Sequence, residues 1–354
     1  GQQGYAALTV PDNPFMTLLP HAQNTREVFE LLEIDSKLAV LEGRPDRGLA
    51  AARAGMAATR ALGDEPFLIS QLVRMAGANV AANAGVQVLA WGEPKDKTEL
   101  AALQAAYRAE ADYPWLLTGL RGERASLDKM FEGLESGKIS PREMLMSVDG
   151  MNRNNPFAGV AFELYRGFLP GDRAMSIKLY TQMIEAAKKP PHEQKRGFAE
   201  IKYPFADAGG FRYLISKLTL PAANKVHEAA IRTRAQLLTA SAAIACERFR
   251  LERGRWPESL EEIPADILPP LPPDPYTGQP IQYLREENGV LIYALADDLM
   301  QHQNHHVDRP NLDPLGGRGR GYKLWDPELR GVPGAVTLPP PPEPETEPEG
   351  DENP

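Results

Sequence analysis

The sequence predicts a mostly α fold: an antiparallel helical array, then a long helix and a small antiparallel β hairpin. Three observations carry this. Apolar residues recur at spacings of three and four through most of the first 140 positions, between short breaks rich in glycine and proline. The stretch Ala222 to Arg253 contains neither glycine nor proline. Beyond Gly254 the helical period gives way to two short runs bounded by turn residues.

The first helix is expected from Asn24 to about Gly43, with Val28, Leu31, Leu32, Leu38 and Leu41 as its core face. Asn24 or Thr25 is placed to cap it, and Gly43-Arg44-Pro45 stops it. An alanine-rich run, Asp46 to Leu62, makes the second and ends at Gly63. Asp64 can cap a third through the apolar stretch Phe67 to Trp91. After Gly92-Glu93-Pro94 a fourth is expected over Lys97 to Ala111, and after Tyr113-Pro114-Trp115 a fifth through Leu134. The hairpins resemble tetratricopeptide solenoids only in outline, because no fixed period of 34 residues is present.

Residues 141–220 are less regular. Helices are expected over Phe157 to Phe168 and Asp172 to Lys188, with breaks at Pro156, Pro170-Gly171 and Pro190-Pro191. Pro221 marks a kink or a fresh start, after which one helix continues to Arg253. Ile281 to Leu284 and Val290 to Tyr293 then read as two strands joined by Glu286-Glu287-Asn288-Gly289, with a final strand at Tyr322 to Trp325. The organisation expected is a helical domain over 1–220, a long helix with a small β module over 221–332, and a disordered proline- and glutamate-rich tail over 333–354.

Charge and composition exclude several function classes. Of the formal charge of −9, six acidic residues lie beyond Pro342, so the body is nearly neutral and lacks the basic field that holds a phosphate backbone. Nucleic acid is therefore not an expected partner. Cys246 is the sole cysteine, which excludes an internal disulfide framework, and its apolar neighbours Ala243, Ile244, Ala245 and Phe249 predict a buried, inert thiol. No window approaches eighteen uninterrupted apolar residues. The chain opens Gly1-Gln2-Gln3-Gly4 without methionine, so a membrane would be reached only through an N-terminal anchor absent from this chain.

Residues 236–298 carry a resemblance. The run Cys246-Glu247-Arg248-Phe249-Arg250-Leu251-Glu252-Arg253-Gly254-Arg255-Trp256-Pro257, then Ser259-Leu260, then Leu271-Pro272-Pro273-Asp274-Pro275-Tyr276-Thr277-Gly278, resembles the periplasmic part of a type II secretion major pseudopilin. Gly254 can take the left-handed conformation that ends a helix, Trp256 can fold back on it, and Pro257 forbids continuation. The resemblance implies an α+β pseudopilin-like module covering about a third of the chain. The family's hydrophobic N-terminal helix is missing, and some 220 residues stand in its place. The whole layout, including Tyr322-Lys323-Leu324-Trp325-Asp326-Pro327, also resembles envelope proteins of planctomycete-type bacteria with no established activity. An extracytoplasmic home, in the periplasm or cell envelope, is what both resemblances imply.

Major pseudopilins bind calcium in a loop after the last strand, and the matching stretch here offers Asp297, Asp298, Asp308 and Asp313 as candidate ligands. The family's glycine-rich acidic loop is replaced by Leu299-Met300-Gln301-His302, so the competing reading is a solvated polar loop. His302, His305 and His306 form the only histidine cluster, without the cysteine or carboxylate spacing that completes a known metal site. Glu65, Glu123 and Glu163 lie among expected helices, where ion pairing is the plainer role for each. The glycine- and arginine-containing run 316–321 is too short for RNA contact and reads as a turn before the last strand. The chain contains no nucleophile elbow, phosphate loop, dinucleotide fingerprint or His-Glu-x-x-His. The expected function is a non-enzymatic envelope scaffold whose partner is a protein. The alternative is an enzyme or a carbohydrate- or small-ligand-binding protein, with a cleft between the two domains lined by Trp91, Trp115 or Tyr165.

Overall fold

A computed structural model of the chain describes residues 11, 13–14, 17, 19–140, 165–203, 212–295 and 319–331. Its α-helices are α1 (Pro20–Leu41), α2 (Pro45–Arg60), α3 (Leu68–Trp91), α4 (Lys97–Ala111), α5 (Trp115–Ser136), α6 (Leu169–Ala187), α7 (Pro191–Ala199) and α8 (Leu214–Arg253). The strands are β1 (Gln282–Glu286), β2 (Gly289–Leu295) and β3 (Gly319–Trp325). The mostly α fold with a small antiparallel sheet is thus as the sequence predicts.

The helix ends differ from expectation in instructive ways. Helix α1 starts at Pro20, whose missing N–H costs nothing in a first turn, and neither Asn24 nor Thr25 caps it. Thr25 instead donates back to the His21 carbonyl at 2.8 Å. Asp64 does not cap α3; it accepts from the Tyr113 hydroxyl at 2.7 Å, while Glu123 of α5 accepts the Leu68 N–H at 3.1 Å. Pro170 and Gly171 do not break a helix but lie in the first turn of α6, where proline is tolerated. Asp96, in contrast, caps α4 through the N–H groups of Thr98 and Glu99.

Helix α8 is continuous through Pro221, so that proline is neither a fresh start nor a terminus. With 40 residues at 1.5 Å each, the helix is roughly 60 Å long. Its inner face is built of small and medium side chains, Ala235, Ala240, Ala242, Ala243 and Ala245 among them, all fully enclosed. This lets α3 and α4 lie against it on one side and β2 and β3 on another. The main hydrophobic core runs from Val40 through the helices to Leu324 of β3, and a smaller cluster of Ala22, Phe29, Leu62 and Val73 lies beneath the start of α1.

The sheet has the order β1-β2-β3, both pairings antiparallel, with Tyr283 opposite Ile292 and Ile292 opposite Tyr322. Glu287-Asn288 form the tight turn, and Gly289 follows at φ 150°, where a Cβ would meet the Leu324 carbonyl at 1.9 Å. At the end of α8, Gly254 has φ 71° and Trp256 is buried, the stop and fold-back read from the sequence. Asp274 is enclosed and accepts the N–H of Tyr276 and of Leu295, at 2.8 and 2.7 Å, tying the proline-rich turn to the end of β2. Burial pushes its carboxyl up despite those bonds.

Candidate interaction surface

Helix α1 lies on α2 and α3 with the opposite face to the one its large aliphatic residues predict. Leu31 is 65% exposed, Ile34 53%, Leu41 52%, Leu38 48% and Val28 45%. The buried face is Ala22, Phe29, Ser36, Ala39 and Val40. Close approach of the neighbouring backbones explains the inversion. A Cβ on Gly48 of α2 would lie 3.0 Å from the Ser36 carbonyl and 2.9 Å from Val88, so there is no room for a leucine between these helices. The Ser36 hydroxyl completes the contact by donating to the Gly48 carbonyl at 2.9 Å. The outward positions Leu31, Ile34, Leu38 and Leu41 follow the three-four-three spacing of a coiled-coil seam.

The charges beside this stripe are largely satisfied within the chain. Lys37 donates to Glu33 at 2.7 Å and Arg47 to Asp35 at 2.5 Å, and Arg44 is paired with Glu42. An apolar strip with internally neutralised flanks suits a protein surface better than a charged ligand.

The body behind α1 is held by buried charge clusters. Glu110 of α4, fully enclosed, accepts from Arg74 at 2.7 and 3.0 Å, from Arg60 at 3.1 Å and from the Trp115 indole at 2.9 Å, joining four helices. Asp172 of α6 accepts the N–H groups of Ile215 and Ser216 at 2.8 and 3.2 Å, and the Tyr165 hydroxyl as well. It is the cap of α8, delivered from another helix. Glu247 of α8 is fully buried and holds Arg330 at 2.7 and 2.9 Å and Arg250 at 2.8 and 3.2 Å. Burial pushes the Glu247 carboxyl up, but hydrogen bonds from Arg330 and Arg250 outweigh it and hold it below its ordinary value. Arg330 also donates to the carbonyls of Trp325 and Gly92 at 2.9 and 3.1 Å, so the segment after β3 is latched to both α8 and the end of α3.

Asp297, Asp298, Asp308 and Asp313, the candidate calcium ligands, lie outside the described residues, as do His302, His305, His306 and Glu163. Of the remaining acids, Glu65 pairs with His21 of α1 at 2.5 Å and Glu123 serves α3 as described above. Burial raises the Glu123 carboxyl, partly offset by the Leu68 N–H. Trp115 and Tyr165 are enclosed in the core and Trp91 is half-buried against it. Shallow grooves do exist along α6, one of about 270 Å³ beside Thr181, Lys189 and Gly197, and one of about 330 Å³ beside Met175, Lys178 and Lys202. Among the described residues no three histidine, cysteine or acidic side chains gather closely enough to hold a metal. No helix among them is long and apolar enough to cross a membrane.

No protein family, curated protein or solved structure matches the chain. Function therefore rests on the geometry. Among the described residues the acids buried deepest act as caps or ion-pair centres, and the feature left without a structural role is the outward apolar face of α1. Sequence periodicity identified four of its five residues, Val28, Leu31, Leu38 and Leu41, but as core. The signal that separates the two faces is the set of glycines on the facing helices: Gly48 meets the Ser36 carbonyl, Gly55 the Leu32 side chain and Gly77 the Phe29 ring.

Proposed function

We propose that the chain is a non-enzymatic scaffold of the cell envelope that docks another protein surface on α1. The observation that carries this is the outward face of α1, with five large aliphatic side chains each about half exposed on a helix that already buries its other face, Phe29 and Val40 included, against the body. Burying such residues is favourable by about 25 cal/mol per Å² of apolar surface, and leaving them in water in a 22-residue helix gives no stability to the folded chain. The buried clusters centred on Glu110, Asp172 and Glu247 support a rigid platform for this helix. The envelope location rests on the resemblance of residues 236–298 to a pseudopilin periplasmic part, with the left-handed Gly254 and the folded-back Trp256 consistent with that module.

A photo-crosslinking residue placed at Leu38, and in a control at the exposed Glu132 of α5, tests the reading in cells that are then fractionated. Adducts specific to position 38 in the envelope fraction are expected. Adducts at neither position, or equally at both, would overturn the docking role; recovery in the cytosol alone would overturn the location.

A further inference from the structure

We infer that the occupant of the α1 face is a second copy of this chain, its α1 running antiparallel to the first. The inference rests on the docking role proposed for this face and names the partner.

Two observations select this occupant. The first is size. Five aliphatic side chains at roughly half exposure present on the order of 400 Å² of apolar surface per copy. Because a non-obligate interface is roughly 56–58% apolar, a patch of that area is the apolar share of about 700 Å² per partner, close to the ~800 Å² of a standard-size interface. A two-fold pairing of one stripe with itself also closes, so it gives a dimer and not a filament.

The second is charge and register. Pairing about residue 36 sets Leu31 against Leu41 of the other copy and Ile34 against Leu38, so each large side chain meets another. The stretch Arg26, Glu27, Glu30 and Glu33 of α1 is net acidic, whereas the stretch from Asp35 through Lys37, Glu42, Arg44 and Asp46 to Arg47 is balanced. An antiparallel pair lays the acidic stretch on a balanced one; a parallel pair stacks acid on acid. The groups that meet their own copies at the centre, Asp35 and Lys37, are already paired with Arg47 and Glu33. Self-repulsion there is small.

Sedimentation velocity of the purified chain over a micromolar concentration series tests the dimer, alongside Leu31→Glu/Leu38→Glu. A dimer is expected for the native chain and a monomer with unchanged helical circular dichroism for the variant, since both positions are exposed. Orientation is read from cysteine variants, because the native Cys246 is buried and silent. Leu31→Cys mixed with Leu41→Cys should form a mixed disulfide on mild oxidation, and neither alone should cross-link. A chain that stays monomeric overturns the dimer while leaving the docking role to the photo-crosslinking result. A dimer that survives Leu31→Glu/Leu38→Glu overturns this interface, and cross-linking of Leu31→Cys with itself overturns the antiparallel arrangement.

Discussion

Replacing Arg330 with methionine should destabilise the whole molecule, although Arg330 lies far along the chain from the helices it holds. Its guanidinium makes two hydrogen bonds to Glu247, at 2.7 and 2.9 Å, and further bonds to the Trp325 and Gly92 carbonyls at 2.9 and 3.1 Å. Methionine keeps much of the volume and removes every donor. Glu247 would then stay buried with Arg250 as its one cationic partner, and losing one member of such a pair costs about 3–5 kcal/mol. For a chain of this size that corresponds to a fall in melting temperature of roughly 5 °C. Urea unfolding followed by circular dichroism at pH 7, on the native chain, Arg330→Met, Glu247→Gln and the double variant, measures it. The double variant should be less damaged than the two single costs added together, because it removes the carboxylate charge along with the guanidinium. A cost below about 1 kcal/mol for Arg330→Met, or costs that simply add, would refute the reasoning. The pH dependence supplies a second check. The folded Glu247 carboxyl lies below its ordinary value of 4.5, so its contribution is fully present above that pH and lost as pH falls through the folded value. The gap between native and Arg330→Met should therefore narrow in acid.

Three other outcomes are expected. Asp172→Ala leaves the first-turn N–H groups of α8 and the Tyr165 hydroxyl without their acceptor in a buried site and should cost about 3 kcal/mol in urea unfolding; a loss under about 1 kcal/mol would remove its role as the cap. Burial, aided by the charge of Lys195, pushes His227 down from 6.5 to about 4, and its ring stacks on Phe198 at 4.6 Å. The unfolded chain then binds the extra proton between those values, so this group's share of stability is intact above pH 6.5 and falls by about 3 kcal/mol on reaching pH 4; His227→Leu should flatten that part of the stability profile, and an unchanged slope would count against it. Cys246 is fully buried with its thiol pushed up by burial, so a thiol reagent should label it only as fast as the chain unfolds; rapid labelling in native buffer would mean that the α8 core opens.

Local chemistry was legible in the sequence wherever one residue type decides the backbone. Gly254 and Pro257 end the long helix, and Glu287-Asn288 with Gly289 turn the hairpin, because each acts within a turn of chain. The short apolar runs at 281–284 and 290–293, bounded by turn residues, read as strands for the same reason. The inert setting of Cys246 was equally plain from its apolar neighbours. What only the tertiary structure decided depends on partners far apart in sequence. The carboxylates of Asp172 and Glu247 look like ordinary surface acids until α8 and Arg330 are brought to them across 43 and 83 positions. Pro221 reads as a break, yet a helix enclosed by its neighbours carries it, since packing can outweigh one missing hydrogen bond. The α1 face is the sharpest case. Periodicity shows that a helix has an apolar side, but which side turns inward was settled by the space between α1, α2 and α3, where glycines admit Ser36, Leu32 and the Phe29 ring while Leu31, Leu38 and Leu41 stay outside.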